Sequence, residues 1–433
     1  MNLRRIVFWL SDRLKGGLVK KHFTEIQRVM NPAFSSKRQE YVQERLFEIL
    51  EYAVNHTKFY AQFKSKEGIN AFPLVDKNSI RAKLDDFLSD AIPESDRIPV
   101  ITSGSTGTPF RSYQDNTKKQ RNSADTIYFA SLAGFTIGEK LYYLKIWSDY
   151  NKKSSKLQWV QNIVPIDVLN LRQNSKDVIE QLNRNKGTFC MLGYSSAYET
   201  LVAASREMPT LSRKWKIKSI LTMSESLPDV LKEESEALFG CLVLSRYSNI
   251  ENGIIAQQTV NEQRFFLINE ASFYVEIFDS QEEKLLPDGE IGRIVVTDLY
   301  NKAMPIIRYD TGDIGCIATH KIQEGEFRVL TRIEGRKLDQ IFNTRGELIS
   351  SYIVYKNMWK YVEVEQYQFV QENTKSYCFI ISMPGKFERE AELKREFVQF
   401  LGDDAEFRIE YVDEIPLLNS GKRKKVMNLM NNS

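Results

Sequence analysis

Between residues 140 and 250, apolar runs of strand length alternate with helical stretches, and this alternation restricts the possible folds more than any other feature. Lys140–Trp147, Thr188–Leu192, Ile217–Met223 and Leu242–Ser245 read as strands. Ser175–Asn183, Ser195–Glu207 and Pro228–Phe239 read as the helices between them, with Ser175 or Asn174 capping the first. Alternation of this kind predicts α/β layers around a buried, mainly parallel sheet. After residue 260 the texture changes. Arg264–Ile268, Phe273–Phe278 and Gly292–Thr297 are strands divided by turn residues such as Pro287-Asp288-Gly289, which predicts a distorted antiparallel β unit.

Ahead of the alternating region, residues 20–65 read as helical. Tyr41, Leu46, Ile49, Leu50, Ala53 and Val54 recur near the 3.6-residue period, and Lys77–Leu88 reads as one further short helix. Residues 340–433 hold two or three strands and two helices, a small α+β module. A chain of 433 residues exceeds what one core normally supports. The expected organisation is α/β, with a large N-terminal domain over 1–335 that includes the distorted β unit and a small α+β domain over 336–433. The break falls near Gly335-Arg336.

Composition narrows the function. Sixty basic and 57 acidic residues leave a net charge of +3, which predicts neither nucleic-acid binding nor an acidic partner. Cys190, Cys241, Cys316 and Cys378 are widely spaced and form no C-x-x-C pair, so they read as free thiols in a reducing, cytoplasmic compartment. His22, His56 and His320 are the only histidines, which excludes a His-rich metal site and argues against a Ser-His-Asp triad. Ile6–Leu10 is too short for a signal or membrane-spanning run. With Arg4, Arg5, Arg13, Lys15, Lys20 and Lys21 around it, the segment 1–21 has two readings: a first helix docked on the core, the commoner outcome, or a helix lying on an anionic membrane.

The densest local signal is Thr102-Ser-Gly-Ser-Thr-Gly-Thr-Pro109, between the apolar Ile98–Ile101 and the strand-like Phe110–Tyr113. Gly104 and Gly107 open backbone angles closed to other residues. Ser103, Ser105, Thr106 and Thr108 add hydroxyls beside backbone N–H groups, and such a loop can wrap a polyphosphate. No Gly-Lys-Ser/Thr follows, so it is not the P-loop of nucleoside triphosphatases. Four further segments follow in order: Arg246-Tyr-Ser-Asn-Ile-Glu251, Tyr309-Asp-Thr-Gly-Asp313, Gly335-Arg336 and Asn419-Ser-Gly-Lys422.

In this order the segments resemble the adenylate-forming superfamily, and within it the phenylacetate–CoA ligase branch with its CapK-like, capsule-biosynthesis relatives. The short N-terminal region and Asn55-His-Thr-Lys-Phe-Tyr60 resemble that branch too, and the likeness spans about residues 40–430. The resemblance implies that ATP is a substrate and Mg²⁺ a cofactor. It gives Ser103, Gly104, Ser105, Thr106, Gly107 and Thr108 a grip on the β- and γ-phosphates, Tyr247 a place beside adenine, and Glu251 the Mg²⁺. Asp313 is implied as acceptor for the ribose hydroxyls and Arg336 as a ribose or phosphate contact. Lys422 would swing in on a mobile C-terminal domain and bridge the substrate carboxylate and the α-phosphate.

The implied reaction activates a small carboxylic acid as acyl-AMP and passes the acyl group to coenzyme A, a carrier protein or an amino sugar. The alternative is a nucleotide-binding, degenerate paralogue acting as a scaffold in a polysaccharide-biosynthesis complex. The pattern departs from the family at three places. Ser248 and Ile250 replace the Gly and Thr of Tyr-Gly-x-Thr-Glu, Met223-Ser-Glu-Ser226 replaces Gly-Gly-Glu, and Leu338 stands where the hinge Asp is usual, with Asp339 next to it. Gln257, Gln258, Phe265 and Phe266 occupy the neighbourhood in which some relatives carry a structural metal, so none is expected. Ile127-Tyr-Phe129 and Phe135 read either as a pocket wall or, more simply, as helix core.

Overall fold

An eleven-stranded sheet organises the larger part of the described chain. In chain order the elements are α1 (Leu3–Leu14), α2 (Leu18–Val29), α3 (Ser35–His56), α4 (Lys77–Ala82), α5 (Leu84–Phe87), β1 (Ile98–Thr102), β2 (Phe110–Gln114), α6 (Asn116–Leu132), β3 (Lys140–Lys145), α7 (Ser155–Gln161) and β4 (Ile163–Asp167). There follow α8 (Leu171–Arg184), β5 (Thr188–Tyr194), α9 (Ser195–Arg206), β6 (Lys216–Met223), α10 (Asp229–Phe239), β7 (Leu242–Asn249), β8 (Gly253–Thr259), β9 (Glu262–Ile268), β10 (Phe273–Phe278), β11 (Ile291–Asp298), β12 (Tyr309–Ile322) and β13 (Gly325–Arg336). The structure is a computed structural model and describes residues 2–102, 110–147, 154–208, 214–336, 341–349, 352–358, 361, 363–416 and 424–430.

The chain divides into two compact units. The first takes in Met1–Thr102, Pro109–Thr311 and Gly315–Arg332, and the second takes in Gly312–Ile314 and Ile333–Ser433. In the first unit β4, β3, β5, β6 and β7 run parallel, joined by α7 to α10, as the alternating pattern predicts. From β7 onward the pairing turns antiparallel through β8 and β9. The strands after residue 260, expected as a distorted antiparallel β unit within the N-terminal domain, continue the same sheet.

Two large apolar clusters lie in the first unit. One packs Leu46, Ile49, Leu50 and Ala53 of α3 against Tyr60, Phe72, Phe87, Phe110 and Tyr309. The other packs Phe23 and Ile26 of α2 against Tyr128 and Phe129 of α6, with Ile254 and Val329 from the sheet. Tyr128 and Phe129 are thus core residues, and the pocket-wall reading of that segment does not hold. The stretch 77–88 is two helices, not one. Asp76 and Ser79 form a capping box that starts α4, and Lys83 leaves helical geometry at φ −135°. The restart in α5 lets Phe87 stack on Phe59 at 4.1 Å.

The second unit contains β14 (Ile341–Phe342), β15 (Leu348–Ile349), α11 (Tyr352–Met358), β16 (Gln366–Gln371), β17 (Ser376–Ser382), α12 (Glu390–Leu401), β18 (Glu406–Tyr411) and β19 (Val426–Asn428). Its four-stranded sheet has the order β18-β17-β16-β19, and Phe369, Phe379, Phe397 and Phe407 interlock beneath it. More strands occur than the sequence reading anticipated, because β14, β15 and β19 are only two or three residues long.

Candidate active site

In open α/β sheets the carboxyl ends of the parallel strands face the crevice where ligands bind. Here those ends present Lys145 on β3, Tyr194 on β5, Met223 on β6 and Asn249 on β7. An aromatic group gathers there. Tyr143 meets Trp147 edge-on at 5.3 Å, and its hydroxyl reaches Met223 Sδ at 3.8 Å. Burial pushes the Tyr194 phenol up to about 12.

Glu251 occupies the middle of the tight turn Ile250–Asn252 that joins β7 to β8. It is only 2% exposed. Its Oε1 accepts from the Tyr309 hydroxyl at 2.6 Å and pairs with Lys77 Nζ at 2.9 Å. Gln114 Nε2 donates to the Glu251 carbonyl at 3.2 Å and holds the turn. Further back on β7, the Tyr247 hydroxyl donates to Thr311 Oγ1 at 3.1 Å, and Thr311 donates to the Ile294 carbonyl. Two segments far apart in sequence, Arg246–Glu251 and Tyr309–Thr311, therefore meet through two hydrogen bonds between their own motif residues. Asp313 follows on the same strand, β12.

The approach to that strand is under strain and tightly held. Arg308 has φ +50°, a left-handed conformation uncommon for a residue with a Cβ. Its guanidinium is fixed by Glu276, through Nε at 3.1 Å and Nη2 at 2.7 Å, and by Asn70 at 2.7 Å. Burial raises the Glu276 pKa, and Arg308 opposes that rise. Val75 lies beside the strand: its N–H donates to the Arg308 carbonyl, and its own carbonyl accepts from Asp310 N–H. Asp310 is paired with Arg293 at 2.8 Å. Arg246, next to Tyr247, is buried and donates to Gln257 Oε1 at 2.8 Å; desolvation pulls its pKa down to about 10 against the pull of Tyr143.

Met223-Ser-Glu-Ser226 has a structural consequence. Ser224 sits at φ +67°, where glycine is at ease and serine costs about 1–2 kcal/mol. Glu225 then accepts from Ser196 N–H at 2.9 Å, at the start of α9. Ile250 is 61% exposed on the turn beside Glu251.

Other residues singled out from the sequence fall differently. Ser103, Gly104, Ser105, Thr106, Gly107, Thr108, Leu338, Asp339 and Lys422 lie outside the described residues. The flanks of two of these segments are described. Thr102 pairs with Phe110, so β1 and β2 form an antiparallel pair at the ends of the Gly/Ser/Thr loop. Ahead of Lys422, Ile415 N–H donates to Gln366 Oε1 at 2.9 Å. After it, the Lys424 carbonyl accepts from Gln368 Nε2 at 2.7 Å, so both flanks are anchored on β16. Arg336 closes β13. Lys77 had no signal in the sequence; a lysine at the first position of a capped helix reads as surface.

Among the described residues no group of three His, Cys, Asp or Glu could hold a metal by itself. Gln257 and Gln258 are structural, donating to the Phe129 and Gln263 carbonyls. Mg²⁺ with a nucleotide needs only one or two protein carboxylates beside the phosphates. Glu251 fits that requirement, since it is a buried carboxylate that already faces a cation, Lys77.

Comparison with known proteins places these features. Residues 341–429 match the family model described as the CapK C-terminal domain. The whole chain is similar to Protein CapK of Staphylococcus aureus, 24% identical over 96% of this chain and 94% of that protein. A phenylacetate-coenzyme A ligase of Pseudomonas putida is 33% identical over 93 residues, 21% of each chain. Among solved structures, 2-hydroxyisobutyryl-CoA ligase in the postadenylation state with 2-HIB-AMP superposes with a TM-score of 0.74, at 18% identity over 93% of this chain and 91% of that one. The fold is therefore that of adenylate-forming ligase structures.

Proposed function

We propose that this chain, a CapK-like member of the adenylate-forming superfamily, is an ATP-dependent ligase that activates a carboxylic acid as its acyl-adenylate and transfers the acyl group to a thiol. The observation that carries this reading is the junction of the two motifs at the carboxyl end of β7, Glu251 to Tyr309 and Tyr247 to Thr311. A nucleotide laid across that junction has an aromatic ring at Tyr247 and a carboxylate at Glu251. The ribose acceptor Asp313 is further along the same strand as Tyr309.

In this reading a carboxylate oxygen attacks the α-phosphorus, the bond to the β-phosphate oxygen breaks, and pyrophosphate leaves. A thiol sulfur then attacks the acyl carbon, the bond to AMP breaks, and the thiol proton goes to solvent. The first step needs no general base, because a carboxylic acid with a pKa near 4 is already ionised at pH 7. The histidines accord with this. His22 faces Glu25, His56 faces Asp90 and His320 stacks on Phe265, all away from the junction. Catalysis then rests on positioning and charge. Mg²⁺ held by Glu251 would offset charge on the phosphates. Ser103 to Thr108 would bind the β- and γ-phosphates, Arg336 the ribose or phosphate, and Lys422 would bridge carboxylate and α-phosphate. The aromatic group of Tyr143, Trp147 and Tyr194 would face the acid, which favours a compact substrate.

The reaction is tested by its products. With Mg-ATP, coenzyme A and a panel of aryl, fatty, hydroxy and amino acids, at least one acid is expected to give AMP and pyrophosphate in equal amounts. Formation of ADP and phosphate instead would contradict adenylation.

A further inference from the structure

Helix α1 is apolar on two opposite faces, and the sheet side uses only one of them. Phe8 and Trp9 pack on the α2–α6 core, and Asp12 turns inward to accept from Val19 and Lys20 N–H at the start of α2. On the other side Leu3, Ile6, Val7, Leu10 and Leu14 are exposed, Leu3 at 71% and Leu14 at 81%. Their spacing places all five in a stripe about 100° wide. A helix that merely docks on a core carries polar residues outside. Continuous with the stripe stands α7, whose Trp159 is 72% exposed and lies under the Arg4 guanidinium at 5.4 Å, with Leu157 and Val160 also exposed.

The exposed charges that residues 1–21 bring to this face are all basic. Arg4 and Arg13 flank the stripe on the helix, Lys15 follows at its C-terminal end, and the one acid within residues 1–21, Asp12, is buried and engaged as a cap. We propose that α1 and the exposed tip of α7 form a docking face for an anionic lipid surface. Leucines and the tryptophan would enter the headgroup boundary, and the arginines and lysines would meet the lipid phosphates. A second protein copy is a poorer occupant. A three-turn helix offers far less than the roughly 800 Å² per partner of a stable interface, and its basic rim would face an identical basic rim. No helix among the described residues is long and apolar enough to cross a membrane, so contact would be by insertion from one side. This inference stands apart from the ligase reading, and neither depends on the other.

Flotation of the full-length protein tests it, using vesicles of phosphatidylcholine alone and of equal parts phosphatidylcholine and phosphatidylglycerol. Binding is expected only to the mixed vesicles and should fall as salt rises. Val7→Glu with Leu10→Glu should reduce binding about 10–100-fold, since two inserted side chains are lost. Arg13→Glu with Lys15→Glu should reduce it tenfold or more. All four positions are exposed, so circular dichroism and the thermal midpoint should stay as in the parent. Failure to float at low salt, or binding indifferent to both double variants, overturns the proposal. So does a parent that is dimeric in solution, does not float, and is made monomeric by Val7→Glu with Leu10→Glu, which would assign the face to a second copy.

Discussion

Glu251→Gln is expected to lower acid-dependent exchange of pyrophosphate into ATP by about 10²–10³-fold, the scale on which one preorganised charge contributes to such a reaction. The substitution keeps shape and leaves an amide oxygen to accept from the Tyr309 hydroxyl, now at 2.6 Å from Oε1. It removes the negative charge that faces Lys77 at 2.9 Å and, in the ligase reading, the nucleotide-bound Mg²⁺. Lys77 keeps 23% of its side chain in reach of water, so the ammonium left behind is partly solvated and the fold should hold. A purely structural Glu251 would give the reverse pattern, a lower unfolding midpoint with unchanged exchange per folded molecule. Lys77→Met separates the two further. If Lys77 serves only to hold Glu251 in place, exchange in that variant should recover with raised Mg²⁺ concentration, whereas exchange in Glu251→Gln should not.

The second large effect concerns stability. Glu276→Gln should destabilise the first unit by about 3–5 kcal/mol, because it strands the buried Arg308 guanidinium that Glu276 holds through two contacts. Arg308 is also at φ +50°, so the pair restrains a strained backbone immediately before Tyr309. Urea titration followed by intrinsic fluorescence measures the loss. A change below about 1 kcal/mol would mean that Asn70 and the Phe72 carbonyl suffice for Arg308. Activity should fall with the folded fraction and no faster.

These two residues show what the sequence does and does not disclose. The parallel strands were legible because β5, β6 and β7 carry apolar runs between amphipathic helices. Strand β8 was not, since Gln257 and Gln258 look like surface residues and are instead buried by spending their amides on backbone partners. The sequence shows the change from helix-linked to hairpin-linked strands but not the strand order, so it does not disclose that β9 to β13 continue the same sheet. At the junction, Tyr247, Glu251 and Tyr309 stand in motifs that the sequence shows by order and spacing. Lys77 and the Arg308–Glu276 pair carry no such signal, because each depends on contacts between segments that only the folded sheet brings together.

The departures from the family pattern bear on the same site. Ser224 tolerates a glycine-like backbone angle at some cost, and Ile250 turns its side chain outward beside Glu251. Neither removes the carboxylate of Glu251 or the hydroxyl of Tyr309 from the junction.

The central claim, carboxylate activation by ATP with Lys422 as the bridging cation, is tested most directly by pyrophosphate–ATP exchange measured without any acceptor across aryl, fatty, hydroxy and amino acids. The ligase account predicts acid-dependent exchange with at least one class, reduced about 10²–10³-fold in Lys422→Ala while ATP binding persists. Tight ATP binding with no exchange for any acid, or exchange that Lys422→Ala leaves intact, would contradict it, and the first of these outcomes would make the chain a nucleotide-binding scaffold.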